Sequence, residues 1–356
     1  MINIVLGANF GDEGKGSVVS QLIKESDCNL VVRFNGGHQA GHTVVYNGKR
    51  HVFSNIGSGA LQGVPTYWSH FCTVHPKGLL NELETLDSEP ELIIDPLCPV
   101  TTPFDIHDNR RAEEFNEHGS VGVGFGSTIQ RHEDSLCLYM KDLKYPAVYR
   151  TKLKLIANYY GIPKGSIERM IFEFHKEVQR LLGLRKIRIG QPDWRWVLDP
   201  VFEGAQGILL DQCCGFFPHV TRSNTTSQNA LELINRFGIK GKVTTNYVTR
   251  SYLTRHGNGP LPFENKEMSY EDLTNKPNPY QGALRFAPFN LDLLMYSLEC
   301  DELINRDSAK NLWVTCLDQT GREFDMVVRE KIAKRSYLDI LDYLPSIYNM
   351  RHREEP

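Results

Sequence analysis

A glycine-rich loop between an apolar run and a helical run is the feature that most restricts the fold of this chain. Residues 2–6 form a short apolar run typical of a buried strand, and residues 17–24 have the apolar spacing of an amphipathic helix. Residues 7–16 between them read GANFGDEGKG. Strand, glycine loop and helix open the α/β nucleotide-binding folds, where backbone N–H groups at the helix start hold phosphate oxygens. We therefore expect an α/β fold with a P-loop-related, mostly parallel central sheet flanked by helices.

The loop departs from the usual phosphate-binding pattern in two ways. Gly16 follows Lys15 at the position where a P-loop carries Ser or Thr. Asp12 lies inside the phosphate cradle, where a carboxylate is costly unless it binds Mg²⁺ or exchanges protons. The loop therefore predicts phosphoryl-transfer chemistry. The residues expected to contact donor phosphates are Gly11, Asp12, Glu13, Gly14, Lys15, Gly16 and Ser17.

The rest of the chain continues the alternation of strands and helices. Asn47-Gly48 lies between two apolar segments and predicts a hairpin with a type I′ turn. Residues 143–185 are helical in pattern and are expected to form an excursion from the sheet. We expect loops at 99–107, 120–128 and 275–282, a strand at 196–202, and a single domain over residues 1–356.

Composition excludes several classes of protein. The chain has 40 basic and 43 acidic residues and a net charge of −3, which argues against a nucleic-acid binder. No stretch approaches the length of apolar sequence that crosses a membrane. The eight cysteines include no C-x-x-C pair, which argues against a zinc site and predicts free thiols in a reducing compartment. We expect a soluble protein of the cytoplasm, or of the host cytoplasm if the chain is viral.

Five segments in order then identify a family resemblance. They are GDEGKG at 11–16, GGHQAGHT at 36–43, FEGAQGILLD at 202–211, FPHVTRSNTT at 217–226 and LTRHGNGPLP at 253–262. Together they resemble the signature segments of adenylosuccinate synthetases. The resemblance covers about residues 1–320.

The resemblance implies a two-step ligation. Asp12 is then the general base that takes the proton from purine N1, and His42 is the general acid at the 6-oxygen while it receives the γ-phosphoryl group. The amine of L-aspartate then displaces phosphate. Gln206 supports the purine edge. Mg²⁺ is the implied cofactor, with Asp12 and the Gly41 carbonyl as its protein ligands.

The resemblance also implies the partners and their binding residues. The donor nucleoside triphosphate contacts Gly41, His42, Thr43 and Asp318 besides the glycine loop. The purine nucleoside monophosphate contacts Asn35, Gln39, Gly124, Ser127, Thr128, Gln206, Thr221 and His256, with Thr221 at the 5′-phosphate. L-Aspartate contacts Gln281, Gly282 and Arg285, with Arg255 as a helper. A homodimer is implied, in which Arg131 or Arg150 of the second subunit completes the substrate site.

Three departures from the family pattern bear on the substrates. The loop that contacts the substrate nucleotide reads VGVGFGSTIQR at 121–131, and Gly124 there leaves room beside the base. The arginine run of the aspartate site is reduced to Arg285. The C-terminal segment that closes over guanine in the family has no counterpart at 344–350. ATP or dATP thus becomes an alternative to GTP as the donor, with Asp318 still able to pair with guanine.

These departures favour the phage-type branch of the family. That branch makes 2-amino-2′-deoxyadenylosuccinate from dGMP, for DNA that contains 2-aminoadenine. Some phage-type members replace the loop aspartate with serine, whereas this chain keeps Asp12. The alternative is ligation of aspartate to IMP with GTP. A GTPase-like regulatory protein needs GK[ST] and an N/TKxD motif, and both are broken here. An inactive purine sensor is disfavoured by the intact Asp12, Lys15 and His42.

Overall fold

The structure is a computed structural model that describes residues 1–87, 89–116, 119–272, 274–275 and 280–352. The strands are β1 Ile2–Gly7, β2 Val31–Arg33, β3 His42–Tyr46, β4 Lys49–Phe53, β5 Thr66–Trp68, β6 Leu92–Ile94, β7 Ile187–Ile189, β8 Val201–Gly207, β9 Val243–Arg250, β10 Tyr252–Arg255, β11 Arg285–Asn290, β12 Ala309–Thr315, β13 Glu323–Val328, β14 Lys331–Ser336 and β15 Tyr348–His352. The α-helices are α1 Lys15–Lys24, α2 Pro76–Glu84, α3 Pro103–Asn116, α4 Phe125–Glu133, α5 Pro146–Tyr159, α6 Lys164–Leu182, α7 Gln228–Phe237, α8 Leu291–Glu302 and α9 Leu317–Thr320.

A parallel sheet of nine strands is the frame of the described chain, with the order β15-β12-β9-β1-β8-β2-β5-β6-β7. β1 lies in its centre, where Ile4 pairs with Phe202 of β8 and with Thr245 of β9. A four-stranded sheet β10-β11-β13-β14 and the hairpin β3-β4 lie beside it. The predicted α/β class with a parallel central sheet is therefore confirmed. In such sheets, ligands bind at the carboxyl ends of the strands.

Alternation along β1 explains how α1 is held against the sheet. Ile4 and Leu6 belong to the large core cluster on one face, together with Phe202 and Tyr247. Val5 points to the other face and packs in a cluster that includes the buried α1 residues 18 and 19. A strand that is apolar on both faces is typical of a parallel sheet covered by helices on both sides. This packing fixes the start of α1 at the carboxyl end of β1.

Two sequence predictions about local structure are confirmed. Asn47 has φ 49° and Gly48 has φ 75°, as a type I′ turn between β3 and β4 requires. The helical excursion consists of a 3₁₀ turn at Met140–Lys144 followed by α5 and α6. Its residues Ile156 and Phe174 belong to a core cluster that also includes residues of α2, β5 and β6.

Three predicted segments differ in the structure. The loop at 99–107 contains the start of α3, because Pro103 suits a first helical turn and the Asp105 carboxylate accepts the Thr102 backbone N–H at 2.6 Å. The glycine loop at 120–128 ends early, since α4 begins at Phe125. The segment 196–202 is a strand only from Val201, after a 3₁₀ turn at Trp194–Trp196. The loop predicted at 275–282 lies partly outside the described residues. Among the described helices, none combines the length and apolarity that a membrane span needs.

Candidate active site

A cleft of about 1290 Å³ opens at the carboxyl edge of the parallel sheet. The loops that follow β1, β2, β8 and β12 and the last residue of β9 contribute to its lining, as expected for a doubly wound sheet. The structure brings most of the predicted site residues into this one cleft. They are Gly11, Asp12, Gly14, Lys15, Gly16, Gln39, Gly41, His42, Thr43, Ser127, Gln206, Thr221, His256, Gln281 and Asp318.

The glycine loop forms a cradle at the start of α1. Gly14 is the N-cap residue with φ 88°, and no side chain caps the helix there. Lys15 is buried and pairs with the Glu13 carboxylate at 2.6 Å. The other oxygen of Glu13 accepts the Gly11 backbone N–H at 2.8 Å. Glu13 lies outside the cleft lining, so this carboxylate shapes the loop from within and orients Lys15.

Asp12 is held in the left-handed conformation, with φ 60°, and faces the cleft. Its carboxylate lies 3.2 Å from His256 Nε2, which also lies 3.1 Å from Asn275 Oδ1. Burial acts to raise the pKa of Asp12, but the hydrogen bond and charge of His256, with the charges of Arg250 and Lys15, lower that pKa overall. The same contact raises the pKa of His256 against the opposing effect of burial. Asp12 is therefore an ionised base at neutral pH.

His42 forms a buried pair with Glu203 of β8. The ring Nδ1 lies 2.5 Å from Glu203 Oε1, and Glu203 Oε2 accepts the Ser58 backbone N–H at 2.9 Å. Burial acts to raise the pKa of Glu203, but His42, Arg33 and Ser58 lower it to about 2. Burial lowers the pKa of His42. Arg33 and Ser58 keep the Glu203 carboxylate ionised, and burial keeps the His42 ring neutral in the free protein. The Nδ1–H group of His42 therefore donates to Glu203, and Nε2 is left to act in the cleft.

Gly16 is the point where the Asp12 loop and the His42 strand approach each other. A β-carbon at Gly16 would lie 2.9 Å from His42 Cβ and 2.9 Å from Ser58 Oγ, closer than real contacts allow. The Ser or Thr of an ordinary P-loop does not fit here. The sequence departure at Gly16 therefore lets the imidazole lie against the phosphate cradle.

Two glutamine side chains line the cleft. Each has buried amide atoms that form no hydrogen bond with any described residue. Gln206 has φ 63° and an unpaired Oε1, and both amide atoms of Gln39 are unpaired. A strained backbone and buried polar atoms without partners are features of ligand sites, where the ligand supplies the missing bonds.

Several residues predicted to bind the purine lie outside the cleft lining. The Asn35 amide binds the Ala205 backbone, accepting at 2.7 Å and donating at 2.9 Å, and thereby positions the neighbouring Gln206. Thr128 is buried and donates to the Gly124 carbonyl at 2.8 Å. Gly124 has φ 82°, and a β-carbon there would lie 2.9 Å from Ile106 N. The missing side chain of Gly124 thus accommodates the backbone of α3 and does not widen the base site.

Some of the residues predicted to bind aspartate or to cross a dimer interface are placed differently, although Gln281 lines the cleft. Arg285 pairs with Glu264 at 3.0 Å and donates to the Gly259 carbonyl, outside the cleft lining. Gly282 lies outside it too, whereas Arg255 lines it. Arg131 is fully buried in an ion pair with Asp105 at 2.8 Å, so it is not exposed to a second subunit. Of the two predicted arginines Arg150 is the exposed one. Ser17 is buried in α1 behind the cradle.

Glu203 and Arg33 are the site residues that the sequence interpretation missed. Both are fully buried on central strands, and Arg33 stacks over the Trp68 ring at 5.2 Å. The signal was present in FEGAQG, because a charged residue inside an otherwise buried strand is rare unless it is paired. His42 and Glu203 are 161 residues apart, so only the fold shows the pairing.

Comparisons with known proteins identify sequences similar to this chain. The family model for adenylosuccinate synthetase matches residues 4–283. An adenylosuccinate synthetase of Pasteurella multocida is 30% identical over 96% of this chain and 82% of its own length. One from Methylibium petroleiphilum is 32% identical over 73% of this chain, and the match spans 63% of the length of that relative.

Two solved structures share the fold. The fully ligated adenylosuccinate synthetase of Plasmodium falciparum has a TM-score of 0.71 at 21% identity, covering 93% of this chain and 82% of its own. The succinoaminodeoxyadenylate synthetase of cyanophage S-2L, bound to dGMP and dATP, has a TM-score of 0.58 at 17% identity, covering 89% and 85%.

Proposed function

The chain belongs to the adenylosuccinate synthetase family of carbon–nitrogen ligases, and we propose that it couples the amine of L-aspartate to C6 of a purine nucleoside monophosphate. A nucleoside triphosphate supplies the γ-phosphoryl group that activates the 6-oxygen. One observation carries the proposal: Asp12 and His42, whose ring is held by the buried Glu203, line a single cleft with the cradle at Lys15. A base, an acid and a phosphate site in one cleft are the parts that this ligation needs.

The chemistry follows from the two side chains. The ionised Asp12 accepts the N1 proton of the oxopurine, which moves electron density onto the 6-oxygen as that oxygen attacks the γ-phosphorus. His42 acts as the acid in its protonated form, which the Glu203 carboxylate stabilises, and its Nε2–H then donates to the 6-oxygen or the arriving phosphoryl group. The amine of aspartate then adds to C6, the C6–O bond breaks, and inorganic phosphate leaves.

The site fits Mg²⁺ as the family cofactor. Asp12 supplies a carboxylate and Gly41 a backbone carbonyl on the cleft wall beside the cradle, and Mg²⁺ commonly takes one or two carboxylates together with substrate phosphates. When bound, the ion neutralises charge on the transferring phosphates.

We propose dGMP as the acceptor, with IMP as the second candidate. Guanine presents two adjacent donors, N1–H and the 2-amino group, whereas hypoxanthine presents one. Asp12 suits N1–H, and the unpaired buried Gln206 Oε1 is an acceptor suited to the amine. IMP is favoured by the names of the two relatives described above, both adenylosuccinate synthetases. For the donor we propose ATP or dATP, with GTP as the alternative because Asp318 lines the cleft.

Phosphate release measured with L-aspartate tests the proposal, with dGMP or IMP crossed against ATP, dATP and GTP, and with product masses recorded. We expect release only when acceptor, donor and aspartate are all present. Turnover with IMP and none with dGMP would discard the dGMP acceptor and keep the ligase. No aspartate-dependent release with any pair would overturn the ligase itself.

Variants at the two reacting side chains test the roles. We expect Asp12→Ala and His42→Ala each to abolish ligation while triphosphate binding, followed by calorimetry, persists. Near-normal turnover of either variant would remove its assigned role. Asp318→Asn, another change on the cleft lining, is the matched control: it should alter donor preference and leave the dependence on Asp12 unchanged.

A further inference from the structure

We propose that Arg222 binds the 5′-phosphate of the acceptor nucleotide, so that the chain carrying Asp12 and His42 supplies this charge itself. The inference rests on the proposed function, because it assumes a nucleoside monophosphate in the cleft. Thr221 and Arg222 both line the cleft, on the loop between β8 and α7.

The loop that carries Arg222 is a braced platform. Asp211, which is buried, accepts the backbone N–H groups of Cys213 at 2.8 Å and Thr225 at 2.5 Å, so one carboxylate ties both ends of the loop. Between these ends the Thr221 N–H donates to the Leu210 carbonyl at 2.8 Å. Binding residues on a braced backbone lose less entropy when a ligand orders them. The backbone that carries Arg222 is therefore already held in place, and only the Arg222 side chain has to reorient when phosphate binds.

The partner of Arg222 in the structure is one that a phosphate can replace. Its Nη1 donates to Glu133 at the end of α4 at 2.8 Å, and the two side chains are 46% and 56% exposed. An exposed ion pair of this kind contributes little stability. A phosphate dianion offers bidentate acceptors that match a guanidinium better than a single carboxylate oxygen. Exchange of Glu133 for the nucleotide is thus favoured when the 5′-phosphate arrives at Thr221.

The other cations of the described cleft are engaged elsewhere. Lys15 pairs with Glu13 in the cradle, and Arg250 donates to the Asp12 carbonyl and pairs with Asp272. Arg255 donates to the carbonyls of Pro260 at 2.8 Å and His219 at 2.9 Å. Arg50 reaches Thr274, which also bonds Thr43 on the triphosphate side. Among the cations that line the cleft in the described ranges, Arg222 alone is adjacent in sequence to Thr221.

Arg222 lies in the segment FPHVTRSNTT at 217–226, directly after Thr221. An arginine from a second subunit is the expected source of this charge in the family, and Arg131, one of the two candidates for that role, is buried against Asp105. Arg222 supplies a positive charge from the same chain as Asp12 and His42.

Steady-state kinetics of Arg222→Ser with the monophosphate varied test the inference. We expect KM for the monophosphate to rise at least about tenfold, as for the loss of a charged bidentate contact, while kcat and the KM values for aspartate and triphosphate change less than about threefold. KM for the monophosphate in Arg222→Lys should fall between the values for wild type and Arg222→Ser, because lysine keeps the charge but cannot make a bidentate contact. Arg236→Ser, on α7 outside the cleft lining, is the matched control and should leave every constant unchanged.

The matching nucleoside without a 5′-phosphate separates a phosphate contact from a structural effect. Its kcat/KM should be the same in wild type and Arg222→Ser. An equal loss for nucleoside and nucleotide, or an unchanged KM for the nucleotide, would overturn the inference. If the wild type ligates no acceptor, the proposed function fails, and the inference is decided by calorimetry: a monophosphate Kd unchanged by Arg222→Ser rejects it, and a Kd about tenfold weaker supports it.

Discussion

The Nδ1 of His42 lies 2.5 Å from Oε1 of Glu203, a residue 161 positions later in the chain, and both side chains are buried beside the cradle. β2 and β8 are hydrogen-bonded neighbours in the sheet, with Arg33 opposite Glu203, which places the carboxylate between a guanidinium and an imidazole. This arrangement holds the ring orientation and tautomer, as a buried carboxylate does in other acid–base sites. The catalytic unit is therefore the pair and not the histidine alone.

Glu203→Gln should remove most of the activity. The amide keeps the size of the side chain but not the charge that stabilises a protonated His42, so we expect kcat to fall by about 100-fold or more. Phosphate release under saturating substrates measures the change, with thermal unfolding as a check on folding.

Ser58→Ala is the graded comparison for that prediction. It removes the hydroxyl donor to Glu203 but leaves the backbone N–H bond at 2.9 Å and the contact with His42. We expect a loss of about three- to tenfold, as for one hydrogen bond of roughly 1 kcal/mol. A Glu203→Gln variant as active as Ser58→Ala would show that the charge of Glu203 has no part in the reaction.

Gly16→Ala tests the close approach between the cradle and His42. The added methyl group would lie 2.9 Å from His42 Cβ, so the imidazole or the start of α1 must shift by some tenths of an ångström. We expect kcat to fall by at least about tenfold, since small misplacements of catalytic groups are costly. Gly165→Ala in α6, where no heavy atom lies within 4 Å of the new β-carbon, should leave kcat unchanged. Equal activity of the two variants would contradict the steric argument.

The parts of the fold that local chemistry decides were predictable from sequence. β1, the glycine loop and α1 follow from periodicity and glycine content, and the turn at Asn47-Gly48 follows from its two residues with positive φ. The family segments located Asp12, His42 and Gln206 in one cleft because they are collinear motifs at strand ends. The first kind of inference uses neighbouring residues, and the second uses the order of short motifs along the chain.

The rest depends on contacts between distant segments. Asn35 and Thr128 have suitable chemistry for a ligand, but their polar atoms bond the Ala205 backbone and the Gly124 carbonyl instead. Glu203 was missed because its partner lies on another strand. Gly124 was interpreted as space beside a base, whereas the packing of α3 explains it. No local sequence pattern distinguishes a polar side chain that hydrogen-bonds within the protein from one that binds a ligand.

Arg131→Met should destabilise the protein strongly. Arg131 donates to both oxygens of Asp105, which is fully buried, and truncation leaves that carboxylate without its cation. We expect a loss of about 3–5 kcal/mol in the free energy of unfolding, measured in urea. Arg195→Met, which breaks an ion pair with Asp193 whose side chains are 84% and 45% exposed, should leave the free energy of unfolding nearly unchanged. Similar losses in both variants would show that burial of the Arg131 pair has no energetic consequence.

His132, next to Arg131 on α4, should make stability depend on pH. Burial first, and then the charge of Arg131, lower the pKa of His132 to about 4 from 6.5, and its Nε2 accepts the Leu138 N–H at 3.3 Å. The unfolded chain therefore binds the proton before the folded one as pH falls. The stabilisation is fully present above pH 6.5 and is lost between pH 6.5 and about 4.

The matched variant for this prediction is His132→Asn, which offers an acceptor that does not titrate. Between pH 7.5 and 5, the wild type should lose about 1–2 kcal/mol more unfolding free energy than the variant, as measured by urea denaturation. Since Leu138 cannot donate to a protonated Nε2, part of this loss is the broken hydrogen bond. Parallel pH profiles for the two proteins would show that His132 has the same pKa in the folded and unfolded chains. That result would contradict the pKa lowering by burial and by Arg131.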